Sequence, residues 1–202
     1  MNSFIHMTKQ QARAAAASIA SACSPDYFLQ AGNEICRTLS ALSSYQAAST
    51  VFCYVSTKKE PSTIYFLQKV LADGKRLVVP KSEPGGIMRF FVIDDLCMLS
   101  SGRFGILEPS GGEEIDAQEI DFSVIPCVAM SLSGQRLGHG CGYYDRFLST
   151  CRPPCVAVCA CRLLVEQLPT EPHDKMLEMI VTEKGIILPS PYLSAPAEVV
   201  CR

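Results

Sequence analysis

The sequence predicts an α/β fold, a three-layer sandwich in which helices cover both faces of a largely parallel central sheet. Residues 49–55 (STVFCYV) are apolar and rich in β-branched and aromatic side chains, which is typical of a short buried strand. Residues 62–74 (STIYFLQKVLADG) predict a helix that ends near a glycine, and residues 75–80 (KRLVVP) predict the next strand. Strand, helix and strand in this order form a βαβ unit, whose two strands run parallel.

The remaining segments continue the alternation of helices and strands. Residues 8–22 (TKQQARAAAASIASA) contain strong helix formers, and Thr8 has the hydroxyl that suits an N-cap. A second helix is predicted after the turn residues Ser-Pro-Asp, from Tyr27 to about Leu42. Further strands are predicted at 87–93, 121–130 and 154–160, and a further helix at 143–151.

Length and composition predict one domain over residues 1–202. The chain has 202 residues, and chains of this size bury roughly 70% of the surface that their unfolded form exposes. The formal net charge of −2 gives no general attraction to nucleic acid or anionic membranes, so we expect neither as a partner. No apolar stretch reaches the length of about 18 residues that a transmembrane helix needs. We therefore expect a soluble protein, and a monomer.

Cysteine usage predicts a reducing compartment. The chain contains 11 cysteines, several of them inside apolar runs such as CVAVCAC, and no signal peptide is recognisable. This favours the cytoplasm. The first 25 residues contain no Asp or Glu and are rich in Ala and Ser, so a mitochondrial presequence is the alternative. We favour an ordinary first helix, on which Lys9 and Arg13 share one face because they are four residues apart.

The segment RLGHGCGYYDRFL, residues 136–148, predicts an anion-binding loop in front of the helix that begins near Tyr143. Its glycines alternate with other residues: Gly138, Gly140 and Gly142. Such glycines permit positive φ and close approach, so that their amides converge on an anion at the positive end of a helix. Arg136 adds a bidentate donor for a phosphate. The spacing matches neither the P-loop nor the dinucleotide fingerprint, and a flexible turn is the alternative.

Asp145 predicts a metal ion in the same loop. A carboxylate in the first turn of a helix interacts favourably with the helix dipole but repels a bound polyphosphate unless a cation lies between them. Mg²⁺ suits this position because it typically takes one or two carboxylates together with phosphate oxygens. Helix capping is the alternative role of Asp145. Of the adjacent Tyr143 and Tyr144, we expect one to stack on a flat ring and the other to pack under the loop.

Residues 125–148 (IPCVAMSLSGQRLGHGCGYYDRFL) closely resemble the signature of the 5-formyltetrahydrofolate cyclo-ligase family. Four further segments match that family in order: KQQAR, YVSTKKEPSTIYFLQKVLADGKRLVVPK, RFGILEP and EPHDKMLEMIVTEKGII. The resemblance implies a fold like that of the ribose-phosphate isomerase and CoA-transferase group. It also implies an ATP- and Mg²⁺-dependent ligase that converts 5-formyltetrahydrofolate to 5,10-methenyltetrahydrofolate through a phosphorylated formyl group, with release of ADP and phosphate.

The resemblance assigns roles to individual residues. Arg136, Tyr143 and Asp145 are implied to be catalytic, Glu60 and Tyr143 to bind the folate, and Asp145 to bind the metal. The implied nucleotide-binding set is Lys9, Arg13, Arg136, Gly138, His139, Gly140, Cys141, Gly142, Tyr144 and Asp145. A carboxylate at position 60 suits the paired donors of a 2-amino-4-oxo pyrimidine edge, although a surface acid before Pro61 is the alternative.

The chain departs from the family pattern at two positions. Position 141 is Cys where relatives often have Gly or Lys, so His139 is expected to supply part of the missing positive charge. Position 178 is Glu where the family commonly has Asp, so no role is assigned there. His173 and Asp174 could form an acid/base pair, but we favour a loop lock or helix cap.

Two other functions remain open from the residues. A phosphosugar isomerase or CoA-transferase-like enzyme could share the fold, because fold alone does not fix chemistry. A nucleotide- or RNA-binding module without activity could use the arginines and the tyrosine pair as a stacking platform. Turnover of 5-formyltetrahydrofolate with ATP distinguishes the ligase from both.

Overall fold

A computed structural model describes residues 2–102, 105–150, 153–171 and 174–189. The helices are α1 (Lys9–Ser21), α2 (Pro25–Ala41), α3 (Ser43–Ala47), α4 (Ile64–Ala72) and α5 (Tyr143–Thr150). The strands are β1 (Thr50–Cys53), β2 (Arg76–Glu83), β3 (Ile87–Ile93), β4 (Leu99–Ser101), β5 (Leu107–Pro109), β6 (Glu113–Ile115), β7 (Phe122–Pro126), β8 (Ala129–Ser131), β9 (Arg136–Leu137), β10 (Cys155–Val158), β11 (Leu164–Val165), β12 (Ile180–Thr182) and β13 (Gly185–Ile187).

The central sheet has eight strands in the order β13-β12-β10-β7-β1-β2-β3-β6. Its middle strands β12, β10, β7, β1 and β2 pair in parallel, whereas β13, β3 and β6 are antiparallel to their neighbours. The predicted βαβ unit is β1-α4-β2, with Val51 opposite Leu77. The predicted α/β class and the largely parallel sheet are therefore confirmed.

Helices cover both faces of this sheet, because successive residues of each buried strand point to opposite sides. On one face, Val51 and Val124 belong to an apolar cluster that includes residues of α2, α3 and α4. On the other face, Phe52 and Ile125 belong to a cluster that includes residues of α1 and α5. The result is the predicted three-layer arrangement.

The first helix forms where the sequence predicts it. The Thr8 hydroxyl accepts from the Gln11 N–H, and the Gln11 side chain accepts in return from the Thr8 N–H. This capping box satisfies two donors that a helix start leaves unpaired. Ala12, Ala16 and Ala20 are buried at intervals of four residues, so small side chains form the buried stripe of the helix.

The predicted strand at residues 121–130 is wrong in one respect, because two strands occupy it. Strand β7 lies in the central sheet, whereas β8 belongs to a separate three-stranded sheet in the order β11-β8-β9. Opposite β7, the pairing of β1 ends at Cys53 and that of β10 ends at Val158, so the chain has no partner in the central sheet beyond Pro126. It turns instead into the β8-β9 hairpin, which carries Arg136.

No helix in the described part of the chain is long and apolar enough to span a membrane. The compartment, the monomeric state and the single domain over residues 1–202 stay predictions. His173 lies outside the described residues.

Candidate active site

A cavity of about 430 Å³ lies at the carboxyl ends of the central parallel strands. Tyr54 directly follows β1, and Pro126 ends β7; both line the cavity. The carboxyl edge of a parallel sheet is the usual ligand site of α/β proteins. Of the predicted site residues, the cavity brings together Glu60, Arg136, Gly138, His139, Gly140, Cys141, Gly142, Tyr143, Tyr144 and Asp145. Lys9 and Arg13 are not among its lining residues.

The glycine loop, residues 138–142, presents main-chain donors that the described part of the protein leaves unpaired. None of the N–H groups of residues 138–145 has an acceptor among the described residues, and the first such bond of α5 runs from the Arg146 N–H to the Gly142 carbonyl. Gly140 and Gly142 adopt φ of 97° and 71°, a region that favours glycine. Free N–H groups of successive residues in front of a helix suit an anion.

Arg136 lies beneath this loop with a side chain that is only 3% exposed. Its Nη2 donates to Asp145 Oδ1 at 2.6 Å, and its Nη1 donates to the Pro126 carbonyl at 3.4 Å. Its Nε is buried without an acceptor in the described residues. Gly138 makes room for the guanidinium, since a Cβ there would stand 2.7 Å from Nη1. An unpaired buried donor is costly, so its presence here points to a ligand.

Two further arginines hold the glycine loop. Arg13 Nε donates to the Gly138 carbonyl at 2.7 Å. Arg146 Nη2 donates to the Cys141 carbonyl at 2.7 Å, and its Nε donates to the Gly86 carbonyl at 2.9 Å. Arg146 was not among the predicted site residues, and its position beside an acid gave no sign that it would bridge two loops. Together with Arg136, they place three guanidinium groups around the glycine loop.

Within the described residues, the hydrogen bonds of the Lys9 ammonium go to two acids and not to the glycine loop. Its Nζ lies 2.7 Å from Glu171 Oε2 and 2.7 Å from Asp174 Oδ1. Burial opposes the charged form of Lys9, but hydrogen bonds and charges from Asp174 and Glu171 prevail and raise its pKa. The charge of Lys9 is therefore compensated inside the protein, unlike that of Arg13.

Asp145 lies in the first turn of α5 with a side chain that is 29% exposed. One of its oxygens accepts from Arg136. Among the described residues there is no group of three or more His, Cys, Asp or Glu side chains that could hold a metal. A single carboxylate still fits Mg²⁺, because this ion completes its coordination with water and phosphate oxygens.

The Glu60 loop, residues 56–63, forms the opposite wall and satisfies its own polar groups. Glu60 Oε2 accepts from the Thr57 N–H at 2.7 Å. Ser56 and Thr63 exchange hydrogen bonds, each hydroxyl accepting from the other residue's N–H at 3.0 and 2.9 Å. These bonds fix the carboxylate of Glu60, whose side chain is 12% exposed. The alternative of a solvated surface acid is therefore not supported.

Helix α2 anchors the same loop from behind. The Ser62 N–H donates to the Phe28 carbonyl at 3.0 Å. Gly32 permits this contact, because a Cβ at that position would stand 2.1 Å from the Ser62 carbonyl oxygen. On the cavity side, Glu60 Oε1 lies 3.8 Å from His139 Nε2, so the two loops meet at these side chains.

The tyrosine pair begins helix α5, and both residues line the cavity. Tyr143 donates its hydroxyl to the Glu83 carbonyl at 2.8 Å and so ties α5 to the end of β2. The Tyr144 ring centroid lies 5.7 Å from the Arg136 guanidinium and 6.4 Å from the Phe52 ring centroid. Burial, and then the charge of Glu60, raises the pKa of Tyr144, so its hydroxyl stays protonated at neutral pH.

Sequence reasoning missed other residues of the cavity, notably Tyr54 and Glu108. Glu108 is 7% exposed and accepts from the Ser82 N–H at 3.1 Å. Neither Tyr54 nor Glu108 belongs to a recognisable sequence motif of catalytic or ligand-binding residues. Their only sequence signal is that each lies in a segment that resembles the cyclo-ligase family.

This arrangement defines a class of protein, an α/β sandwich with an anion-binding loop at the carboxyl edge of its sheet. The family model described as the 5-formyltetrahydrofolate cyclo-ligase family matches residues 5–183, and the chain belongs to this family. The predicted resemblance is confirmed, and the chain is an enzyme of a ligase family.

Individual relatives agree with this assignment. The 5-formyltetrahydrofolate cyclo-ligase of Mycolicibacterium smegmatis is 32% identical over 149 residues, which cover 68% of this chain and 76% of the relative. The NMR structure of Aquifex aeolicus 5,10-methenyltetrahydrofolate synthetase matches with a TM-score of 0.80 and 28% identity, over 95% of this chain and 97% of that one. A 5,10-methenyltetrahydrofolate synthetase from Mycoplasma pneumoniae shares the fold, with a TM-score of 0.71 and 21% identity over 88% and 99% of the two chains.

Proposed function

We propose that this enzyme cyclises 5-formyltetrahydrofolate to 5,10-methenyltetrahydrofolate, using ATP and Mg²⁺ and releasing ADP and phosphate. The observation that carries the proposal is the glycine loop. Its N–H groups and the buried Nε of Arg136 have no acceptor in the described protein, and they lie beside a cavity that also contains Glu60. A phosphate group would satisfy these donors.

The residues present fit a nucleotide triphosphate. The N–H groups of residues 138–145 and the guanidinium of Arg136 would bind its phosphates, with Arg13 supporting the loop from the side. Asp145 would bind Mg²⁺ through the carboxylate oxygen that Arg136 leaves free. Bound ATP supplies the phosphoryl group that makes the formyl oxygen a leaving group. In the protein, Arg136 and the loop amides would stabilise the negative charge on the phosphate during transfer.

The Glu60 side of the cavity fits the folate. Glu60 would accept hydrogen bonds from the ring N–H and the 2-amino group of the pterin. Tyr143 would contact the ligand through its ring, since its hydroxyl is bonded to Glu83. The volume of about 430 Å³ lies within the usual range for small-molecule sites, about 300–1,000 Å³.

Turnover tests the proposal directly. Purified protein is mixed with Mg²⁺, ATP and 5-formyltetrahydrofolate, while the near-ultraviolet absorbance of the methenyl product and the formation of ADP are recorded. We expect both products in equal amounts, and neither when ATP is omitted or when EDTA is present. Folded protein that forms no methenyl product would contradict the proposal.

Asp145→Asn tests the metal role. We expect a loss of activity at limiting Mg²⁺ that saturating Mg²⁺ partly restores, because a neutral amide is a weaker ligand for this ion. Asp26→Asn is the matched control, since Asp26 occupies the first turn of α2 and does not line the cavity. Equal Mg²⁺ dependence of the two variants would remove the assignment of Asp145.

A further inference from the structure

The hydroxyls of the tyrosines that line the cavity differ in their partners. The Tyr143 hydroxyl donates to a carbonyl, whereas the hydroxyls of Tyr54 and Tyr144 have no hydrogen-bond partner in the described part of the protein. Among the described residues, Arg136 Nε is the one buried side-chain nitrogen or oxygen that lacks a partner and is sealed from solvent. The Tyr54 hydroxyl therefore keeps accessible surface, although the residue is only 3% exposed. Tyr54 is also one of the residues that line the cavity.

Tyr54 is held rigidly at this place. It directly follows β1 in the middle of the sheet and belongs to the apolar cluster under α2 and α4. Burial, and then the negative charge of Glu60, raises the pKa of Tyr54 well above its ordinary value. The hydroxyl is therefore neutral at physiological pH and has a proton to donate. It lies close enough to Glu60 to respond to its charge, yet the two groups are not hydrogen-bonded to each other.

The neutral hydroxyl of Tyr54 beside the carboxylate of Glu60 complements the hydrogen-bonding edge of a pterin ring. The pyrimidinone edge of a pterin has a 4-oxo acceptor next to a ring N–H donor and a 2-amino donor. Glu60 alone pairs with the two donors and leaves the 4-oxo oxygen unmatched. A buried acceptor without a donor lowers affinity, so a protein donor at this oxygen would strengthen binding.

We propose that Tyr54 is a substrate-binding residue that donates its hydroxyl to the 4-oxo oxygen of the folate ring, next to the donors that Glu60 accepts. This inference rests on the proposed function. It assigns the recognition of the ring to two residues, one from the end of β1 and one from the Glu60 loop.

The test compares Tyr54→Phe with the unmodified enzyme in steady-state turnover. We expect the KM for 5-formyltetrahydrofolate to rise about tenfold, while kcat and the KM for ATP stay within about twofold. Tyr65→Phe is the matched control, because Tyr65 is exposed on α4 and does not line the cavity. A thermal melt of each variant checks that the fold is retained.

A second measurement separates recognition from a structural role. Binding of two pteridines is followed by their fluorescence, one with the 2-amino and 4-oxo groups and one with a 2-amino group and hydrogen at position 4. Tyr54→Phe should weaken binding of the first about tenfold and leave the second unchanged. Equal weakening of both ligands, or no weakening of either, would overturn the assignment of Tyr54. Absence of turnover in the unmodified enzyme would contradict the proposed function instead, since pteridine binding is read independently.

Discussion

The glycine loop and the Glu60 loop face the same cavity but differ in where their hydrogen bonds go. In the Glu60 loop, Thr57, Ser56 and Thr63 pair with groups of the loop itself. In the glycine loop and the first turn of α5, the N–H groups of residues 138–145 have no acceptor in the described protein. A loop that satisfies its own donors keeps its shape without a ligand, whereas free donors are open to water or to a ligand from outside. The comparison predicts that the loops serve different substrates.

The largest effect is expected for Arg136→Lys. Lysine keeps the charge, but its donors all lie on one nitrogen, so it cannot reproduce the planar fork whose separate nitrogens reach Asp145 and the Pro126 carbonyl. We expect kcat/KM for ATP to fall about 100- to 1,000-fold, as for loss of a charge-stabilising donor. Arg37→Lys is the control, since Arg37 is exposed on α2 in an ion pair with Glu34. Unchanged ATP kinetics in Arg136→Lys would remove Arg136 from the phosphate site.

Glu60→Gln should weaken the binding of 5-formyltetrahydrofolate rather than that of ATP. The amide has one accepting oxygen where the carboxylate has two, so we expect the KM for 5-formyltetrahydrofolate to rise about 10- to 100-fold. The KM for ATP should stay unchanged, because the loop bonds of Ser56 and Thr63 do not depend on this side chain. Steady-state kinetics with each substrate varied in turn makes the comparison. A rise in both KM values would mean that the loops are not separate in function.

Gly140→Ala tests the backbone of the glycine loop. At φ of 97°, alanine is strained by about 1–2 kcal/mol, and its Cβ would stand 3.1 Å from the Arg13 guanidinium carbon. We expect the KM for ATP to rise about tenfold, which corresponds to about 1.4 kcal/mol. Gly74→Ala is matched in strain, with φ of 70° and no neighbour within 4 Å. It should lower the melting temperature similarly and leave both KM values unchanged; an equal rise in KM would refute the local explanation.

The smallest effect is expected for Lys9→Gln, compared with Arg13→Gln on the same helix. Glu171 and Asp174 already compensate the charge of Lys9, so its removal should change the KM for ATP less than about threefold. Arg13 holds the Gly138 carbonyl, and its removal should raise that KM about tenfold. A larger effect from Lys9 than from Arg13 would show that Lys9 leaves its acidic partners to bind the nucleotide.

Local chemistry explains what could be predicted from the sequence. The capping residue Thr8, the βαβ unit around α4 and the glycine loop each depend on residues that are neighbours in the chain. Turn residues, caps and apolar runs act over a few positions, so the sequence displays them directly. The residues next to the glycine loop in the sequence, Arg136 and Tyr143 to Asp145, could be predicted as site residues because they belong to the same short segment.

Long-range partners explain what could not be predicted. Lys9 pairs with Asp174 across a sequence separation of 165 residues, and nothing near either residue indicates the other. The segment predicted as one strand at residues 121–130 forms two strands, because the neighbouring strands end at Cys53 and Val158. The ends of neighbouring strands cannot be read from the segment itself. Tyr54 reaches the cavity because β1 lies in the middle of the sheet. The order of strands in a sheet cannot be predicted from a local sequence motif.

An NMR titration tests whether the glycine loop binds the phosphates of the nucleotide. Uniformly ¹⁵N-labelled protein is titrated with a non-hydrolysable ATP analogue in the presence of Mg²⁺, and the amide signals are followed. We expect the largest shifts at residues 138–145, because their N–H groups gain phosphate acceptors, and small shifts at residues 56–63. Shifts concentrated at residues 56–63, or saturation without any change at residues 138–145, would contradict this role of the glycine loop.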